Sequence, residues 1–212
     1  NEYDLWKKCM EINDMPDSIT HKIREDDISF LQSLAINGNF DVNQRVPPFI
    51  FGVSSFFICY PTIIQYAAYV GSVKCFKYLL LNHADLKLTD LCSTTIAQLA
   101  VAGGNLEIIR SLEDKVSFDG CLSVAARFIQ NNVFQWLSET KYVDLGKADL
   151  NDLSPIHYAV ESGNILALLT CLDKGVDVNS GFETGWTPLH IAAKHGQSSM
   201  IRILSSHEKI NI

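Results

Sequence analysis

Residues 187–193 read Thr187-Pro188-Leu189-His190-Ile191-Ala192-Ala193, and Gly196 follows shortly after. The same pattern stands 33 residues earlier as Ser154-Pro155-Ile156-His157-Tyr158-Ala159, with Gly163 in the place of Gly196. Each copy continues into a second apolar segment. It runs Leu166, Leu168, Leu169, Leu172 in the earlier copy and Met200, Ile201, Ile203, Leu204 in the later one. The frame extends upstream. Tyr66-Ala67-Ala68 precedes Gly71, Leu99-Ala100-Val101 precedes Gly104, and Val124-Ala125-Ala126 precedes Val133-Phe134 and Trp136-Leu137. Taking Ala67, Ala100, Ala125, Ala159 and Ala192 as equivalent gives spacings of 33, 25, 34 and 33. A period of this length marks a stacked-repeat architecture.

The physics of one unit is simple. Small alanines let an inner helix lie close against its neighbours. Gly71, Gly104, Gly163 and Gly196 supply the left-handed conformation that ends such a helix without a Cβ clash. The chain then returns as an antiparallel outer helix whose apolar residues form one buried stripe. Neither helix buries enough surface alone, so several copies are needed. Asp85-Leu86-Lys87 and Asp177-Val178-Asn179 mark the corner after the outer helix, and the residues from Asn179 to Thr187 fit an extended hairpin turned by Gly181 and Gly185.

These residues resemble the ankyrin repeat. Thr187-Pro188-Leu189-His190 with Ala192 and Gly196 is the full signature, and Ser154-Pro155-Ile156-His157 is close to it. The earlier copies, such as Gly103-Gly104-Asn105-Leu106-Glu107-Ile108-Ile109 and Cys75-Phe76-Lys77-Tyr78-Leu79-Leu80, resemble a divergent ankyrin subclass of parasitic protists that lacks Pro-Leu-His. The resemblance implies an all-α repeat solenoid of ankyrin-type helix-turn-helix units with short hairpin loops and an atypical N-terminal cap. Residues 1–60 are expected to form the cap, a degenerate first repeat and a Phe-rich insertion. Residues 61–212 are expected to form about five repeats in one continuous solenoid.

Two departures stand out. The spacing of 25 removes about a hairpin's length before Asp119-Gly120, which predicts a gap in the row of hairpin tips. Near the start, Asp41-Val42-Asn43 resembles Asp177-Val178-Asn179, yet Thr62 lies nineteen residues beyond Asn43. The excess holds Phe49, Phe51, Phe56, Phe57 and Tyr60. Residues 28–37 read as an outer helix capped by Asp26 or Asp27. Residues 2–13 read as a helix with Leu5, Trp6, Cys9 and Ile12 on one face.

Composition narrows the function. The 212 residues are 47% hydrophobic and 19% charged, which is too apolar for a disordered chain. A net charge of -7 argues against a nucleic-acid face. The segment between Arg45 and Lys74 carries no formal charge, but Pro47, Pro48, Gly52 and Pro61 interrupt it, so a transmembrane span is rejected. Six well-separated cysteines form no Cys-x-x-Cys pair. They read as reduced thiols in a cytoplasmic protein. The start at Asn1, without Met, reads as a fragment or a processed product.

No catalytic motif appears, and neither enzyme activity, cofactor nor metal is expected. Asp149 and Asp152 flank a loop. His157 and His190, at one position of successive copies, read as structural hydrogen bonders, as the resemblance implies. Trp136 reads as core. The candidate partner-binding residues are Tyr69, Arg127, Tyr158, Glu161, Trp186, Lys194 and His195, with Ala102 in the same row of the inner helices. The row mixes aromatic rings with both charge signs, which suits one particular protein partner. The Phe-rich insertion and the C-terminal repeat are the candidate surfaces for a homodimer. The expected function is an interaction scaffold. The alternatives are a targeting module of a larger enzyme, a spacer, and an enzyme with an unrecognised pocket.

Overall fold

Four inner helices start in one way. Thr62, Thr95, Ser154 and Thr187 are the N-caps of α3 (Ile63–Val70), α5 (Ile96–Gly103), α9 (Pro155–Ser162) and α11 (Pro188–Lys194). In each, the residue three positions on reaches back to the cap. The Thr62 amide donates to Gln65 Oε1 at 2.8 Å and the Thr95 amide to Gln98 Oε1 at 2.9 Å. The Ser154 and Thr187 amides donate to His157 Nδ1 and His190 Nδ1, both at 3.2 Å. This satisfies a donor that the first helical turn cannot bond. The helices end at Gly71, Gly104, Gly163 and Gly196, whose φ values lie between 63° and 80°. The remaining inner helix, α7 (Cys121–Arg127), has no glycine there; Ile129 takes the left-handed position with φ 55°.

This computed structural model describes residues 15–210 except 17, 39, 48, 51–56, 59, 140–143, 150–152 and 182–184. The helix expected over residues 2–13, Phe51, Phe56 and Asp152 lie outside them.

Each inner helix is followed by an outer one: α4 (Val73–Leu81), α6 (Leu106–Leu112), α8 (Asn131–Glu139), α10 (Ile165–Asp173) and α12 (Ser198–Ser205). Their buried stripes are Cys75, Phe76 and Leu79; Ile108, Ile109 and Leu112; Val133, Phe134 and Leu137; and Met200 with Leu204. The stripe of α10 differs from the expected one. Ala167, Leu168 and Cys171 are buried, whereas Leu166 is 60% exposed and Leu169 is also exposed. The smaller Ala167 and Cys171 face the interior, and a run of leucines does not reveal which side that is. Trp136 sits half-buried, its ring edge-on to Phe118 at 5.6 Å.

Ahead of the first full repeat lie α1 (Ile19–Arg24), packed on α3, and α2 (Ile28–Ile36), packed on α4. Asp27 caps α2 by accepting from the Ser29 and Phe30 amides. Asp26 acts elsewhere. At φ 56° it turns its carboxylate to the Lys74 and Cys75 amides, 3.1 and 2.8 Å away, and so caps α4 across 48 residues of chain. The Ser72 hydroxyl, in turn, donates to the Ile23 carbonyl.

The uncharged insertion is a ribbon. Strands β1 (Phe49–Ile50) and β2 (Phe57–Ile58) pair antiparallel, Phe49 opposite Ile58 and Ile50 opposite Phe57. Arg45 opposite Thr62 continues the same register down to the first inner helix. The Arg45 guanidinium donates to the Tyr60 and Thr89 carbonyls at 2.7 and 2.9 Å, fixing the ribbon's base to the next hairpin.

Contacts group the chain into two compact units, residues 1–117 and 118–212. In the first, the cap covers one side of two repeats, with α3 against α5 and α4 against α6. In the second, α9 packs between α7 and α11, and α10 packs on α8. The boundary falls in the short connection from α6 to α7, where the repeat spacing drops to 25. Alanines make the close approach possible: Ala67, Ala100, Ala125, Ala159 and Ala192 are fully buried. At Gly103 the approach is closer still, since a Cβ there would stand 2.0 Å from the Tyr69 carbonyl oxygen.

Candidate partner-binding surface

The candidate residues divide between the units. Tyr69 lies in the first, half-buried at the end of α3; burial above all, with Tyr66 adding, pushes its phenol up to about 12. The other six lie in the second unit. Trp186 stands just before the Thr187 cap, 40% exposed. Lys194, one helix length further along α11, places its ammonium 5.2 Å from the centroid of the Trp186 ring. His190 lies between them in sequence, its ring 6.2 Å from that of Trp186 and tilted by 42°. A cation over an indole face is attracted by the ring quadrupole, which holds both groups in one exposed arrangement.

Arg127 and Tyr158 form the second pair, with the guanidinium 5.2 Å from the Tyr158 ring centroid. Here the sequence expectation needs correction. Tyr158 is only 4% exposed, and its hydroxyl donates to Asp149 Oδ2 at 2.6 Å. Tyr158 is therefore a packing residue that braces the loop before Ser154, and Asp149 is its acceptor. Ala102 is buried as well. Glu161 is half-buried and His195 is exposed.

The histidines also separate. His157 is buried and receives the Ser154 amide at Nδ1, so its proton sits on Nε2, which donates to the Ser180 carbonyl at 2.9 Å. It stitches one repeat to the next hairpin. His190 keeps the bond at its cap but is exposed beside Trp186. Gln65 makes the stitch that His157 makes. Its Oε1 accepts from the Thr62 amide and its Nε2 donates to the Leu88 carbonyl at 3.0 Å, the same 23 residues ahead. The first copy without Pro-Leu-His thus retains its hydrogen bonds, and Gln98 of the next copy retains the one at the cap. The readable signal was glutamine three residues after threonine, the position of histidine in the full signature.

Among the described residues there is no group of three or more histidines, cysteines or acids placed to hold a metal ion, and no helix long and apolar enough to cross a membrane. Cys75, Cys121 and Cys171 are buried free thiols, and Cys92 is exposed.

The family model for ankyrin repeats matches residues 122–212 in three copies. This part of the chain is built of ankyrin repeats. Residues of the chain are 27% identical over 142 positions to ankyrin repeat protein FPV223 of fowlpox virus, covering 67% of the chain and 81% of the relative. They are 34% identical over 87 positions to human protein phosphatase 1 regulatory subunit 27, covering 41% of the chain and 51% of that subunit's length. The crystal structure of the human ASB11 ankyrin repeat domain superposes with a TM-score of 0.68 at 19% identity, over 91% of this chain and 84% of that one. That likeness establishes the fold. Ankyrin repeats are generally non-catalytic protein-interaction modules, so protein partners are implied.

Proposed function

We propose that this protein binds a protein partner through the face of its second unit that carries Trp186 and Lys194, with Glu161 and Arg127 extending the contact. The carrying observation is the exposed indole held under the Lys194 ammonium. An indole fixed in this way loses little side-chain freedom on binding, and tryptophan is a frequent interface anchor. The capped helices around it are rigid before the partner arrives. The buried free thiols support a reducing, cytoplasmic setting. The phosphatase subunit among the relatives supports a regulatory scaffold as the type of role.

Affinity capture tests the reading. The wild-type chain and the triple variant Trp186→Ala, Glu161→Ala, Lys194→Ala are each confirmed folded by circular dichroism, and bound proteins are identified by mass spectrometry. A partner retained by wild type should be lost or weakened by about tenfold or more in the variant, as expected when a central anchor is truncated. Equal retention by both would remove the binding site from this face.

A further inference from the structure

The connection between α6 and α7 lacks the length of a hairpin, and the first unit has a cleft beside it. Its volume is about 360 Å³, within the range of roughly 300–1,000 Å³ typical of ligand sites. Leu86 and Val116 supply apolar surface over the buried Ile96, and Thr95 adds the edge of a helix cap. Two charged residues line it, Lys87 and Lys115, both exposed. The chain as a whole carries a charge of -7, yet both charged residues of this lining are lysines.

The walls are set in advance. The Lys87 amide donates to Asp85 Oδ1 at 2.9 Å, and the Asp85 amide donates to Asn43 Oδ1 at 2.8 Å, which pins the corner holding Leu86 and Lys87. On the other side the Lys115 and Val116 amides both bond the Leu112 carbonyl, and Lys115 Nζ donates to the Ser111 carbonyl at 2.7 Å. That bond uses one of the three ammonium protons. Asp85 Oδ1 is engaged by the Lys87 amide of its own corner.

We infer that this cleft is a second docking site, separate from the Trp186 face, for a partner peptide in which one apolar side chain is flanked by carboxylates. The apolar side chain covers Leu86 and Val116, and the carboxylates pair with Lys87 and Lys115. Charge complementarity selects the acidic flanks: like-signed flanks would face two ammonium groups at short range.

The test uses the full chain and two fluorescein-labelled peptides in an anisotropy titration. One carries a phenylalanine between aspartate pairs, and the other carries the same phenylalanine between lysine pairs. The wild type should bind the acidic peptide with a Kd below about 1 mM and prefer it over the basic one by at least about tenfold. The Lys87→Glu, Lys115→Glu variant, changed only at exposed side chains, should exchange that preference. An acidic peptide with its phenylalanine replaced by asparagine should lose affinity for the wild type. Absence of binding to the wild type, or a preference unchanged by the double reversal, would overturn the inference. The Trp186 triple variant should bind the acidic peptide as the wild type does, which keeps this site distinct from the proposed partner face.

Discussion

Ile129 shows how one residue can depart from its repeat and still obey it. It stands where Gly71, Gly104, Gly163 and Gly196 stand, and it takes their left-handed φ although it is β-branched and 52% exposed. The hydrogen bond from the Gln130 amide to the Ala125 carbonyl, 2.9 Å, is the same closure made after Gly163 and Gly196. The surrounding turn therefore imposes the conformation. A left-handed L-residue costs about 1–2 kcal/mol, and glycine's extra unfolded-state entropy takes back about 0.5–1 kcal/mol. Ile129→Gly should thus stabilise the protein by roughly 0.5–1 kcal/mol, seen as a higher urea midpoint at unchanged slope. A lower midpoint would mean that Ile129 makes a contact worth more than its strain.

At the scale of the element, the informative unit is a helix start with its third residue. Gln65 and His157 differ in sequence but serve the same donors and acceptors, one bond back to the cap and one forward to the next hairpin. Gln65→Leu should leave the Thr62 amide and the Leu88 carbonyl without this partner, costing about 1–3 kcal/mol in a chemical melt. Gln65→His should recover much of that loss, because imidazole offers an acceptor and a donor in the same sense. Equal destabilisation by both substitutions would show that the site demands the amide's shape and not its bonding pattern. This equivalence was half legible. Glutamine at the position of histidine was visible in Thr62-Ile63-Ile64-Gln65 and Thr95-Ile96-Ala97-Gln98, but the carbonyl reached 23 residues later belongs to the folded chain alone.

At the scale of the whole molecule, the two units share buried thiols on their outer helices and inner faces. Burial pushes Cys75 and Cys171 up to about 12, with Asp26 adding at Cys75, and burial together with Asp119 raises Cys121 further. In the unfolded chain these thiols ionise near the ordinary value of about 8.5. Above that pH the unfolded state releases protons that the folded state keeps. Their contribution to stability is full below about 8.5 and is lost as the pH rises toward 12. The melting temperature should fall progressively over this window. A variant carrying Cys75→Ala, Cys121→Ala and Cys171→Ala should show a weaker alkaline slope, although it loses some packing. At pH 8, iodoacetamide should modify the exposed Cys92 well before these three. Rapid native-state alkylation of Cys171 would show that the second unit opens readily.

The sequence by itself determined the repeat. Alanines, glycines and capping residues at a near-constant period act through short-range sterics and local hydrogen bonds, which do not depend on distant chain. It also located the irregular spacing before Asp119 and marked Trp186 and Lys194 as surface candidates. Tertiary structure decided which side of α10 is inside, removed Tyr158 from the surface and sent Asp26 to cap a helix 48 residues away. It also turned the uncharged insertion into a ribbon in one register and left the cleft between Lys87 and Lys115. Each of these rests on contacts between segments far apart in the chain, and the local pattern of a segment carries no information about what will be folded against it.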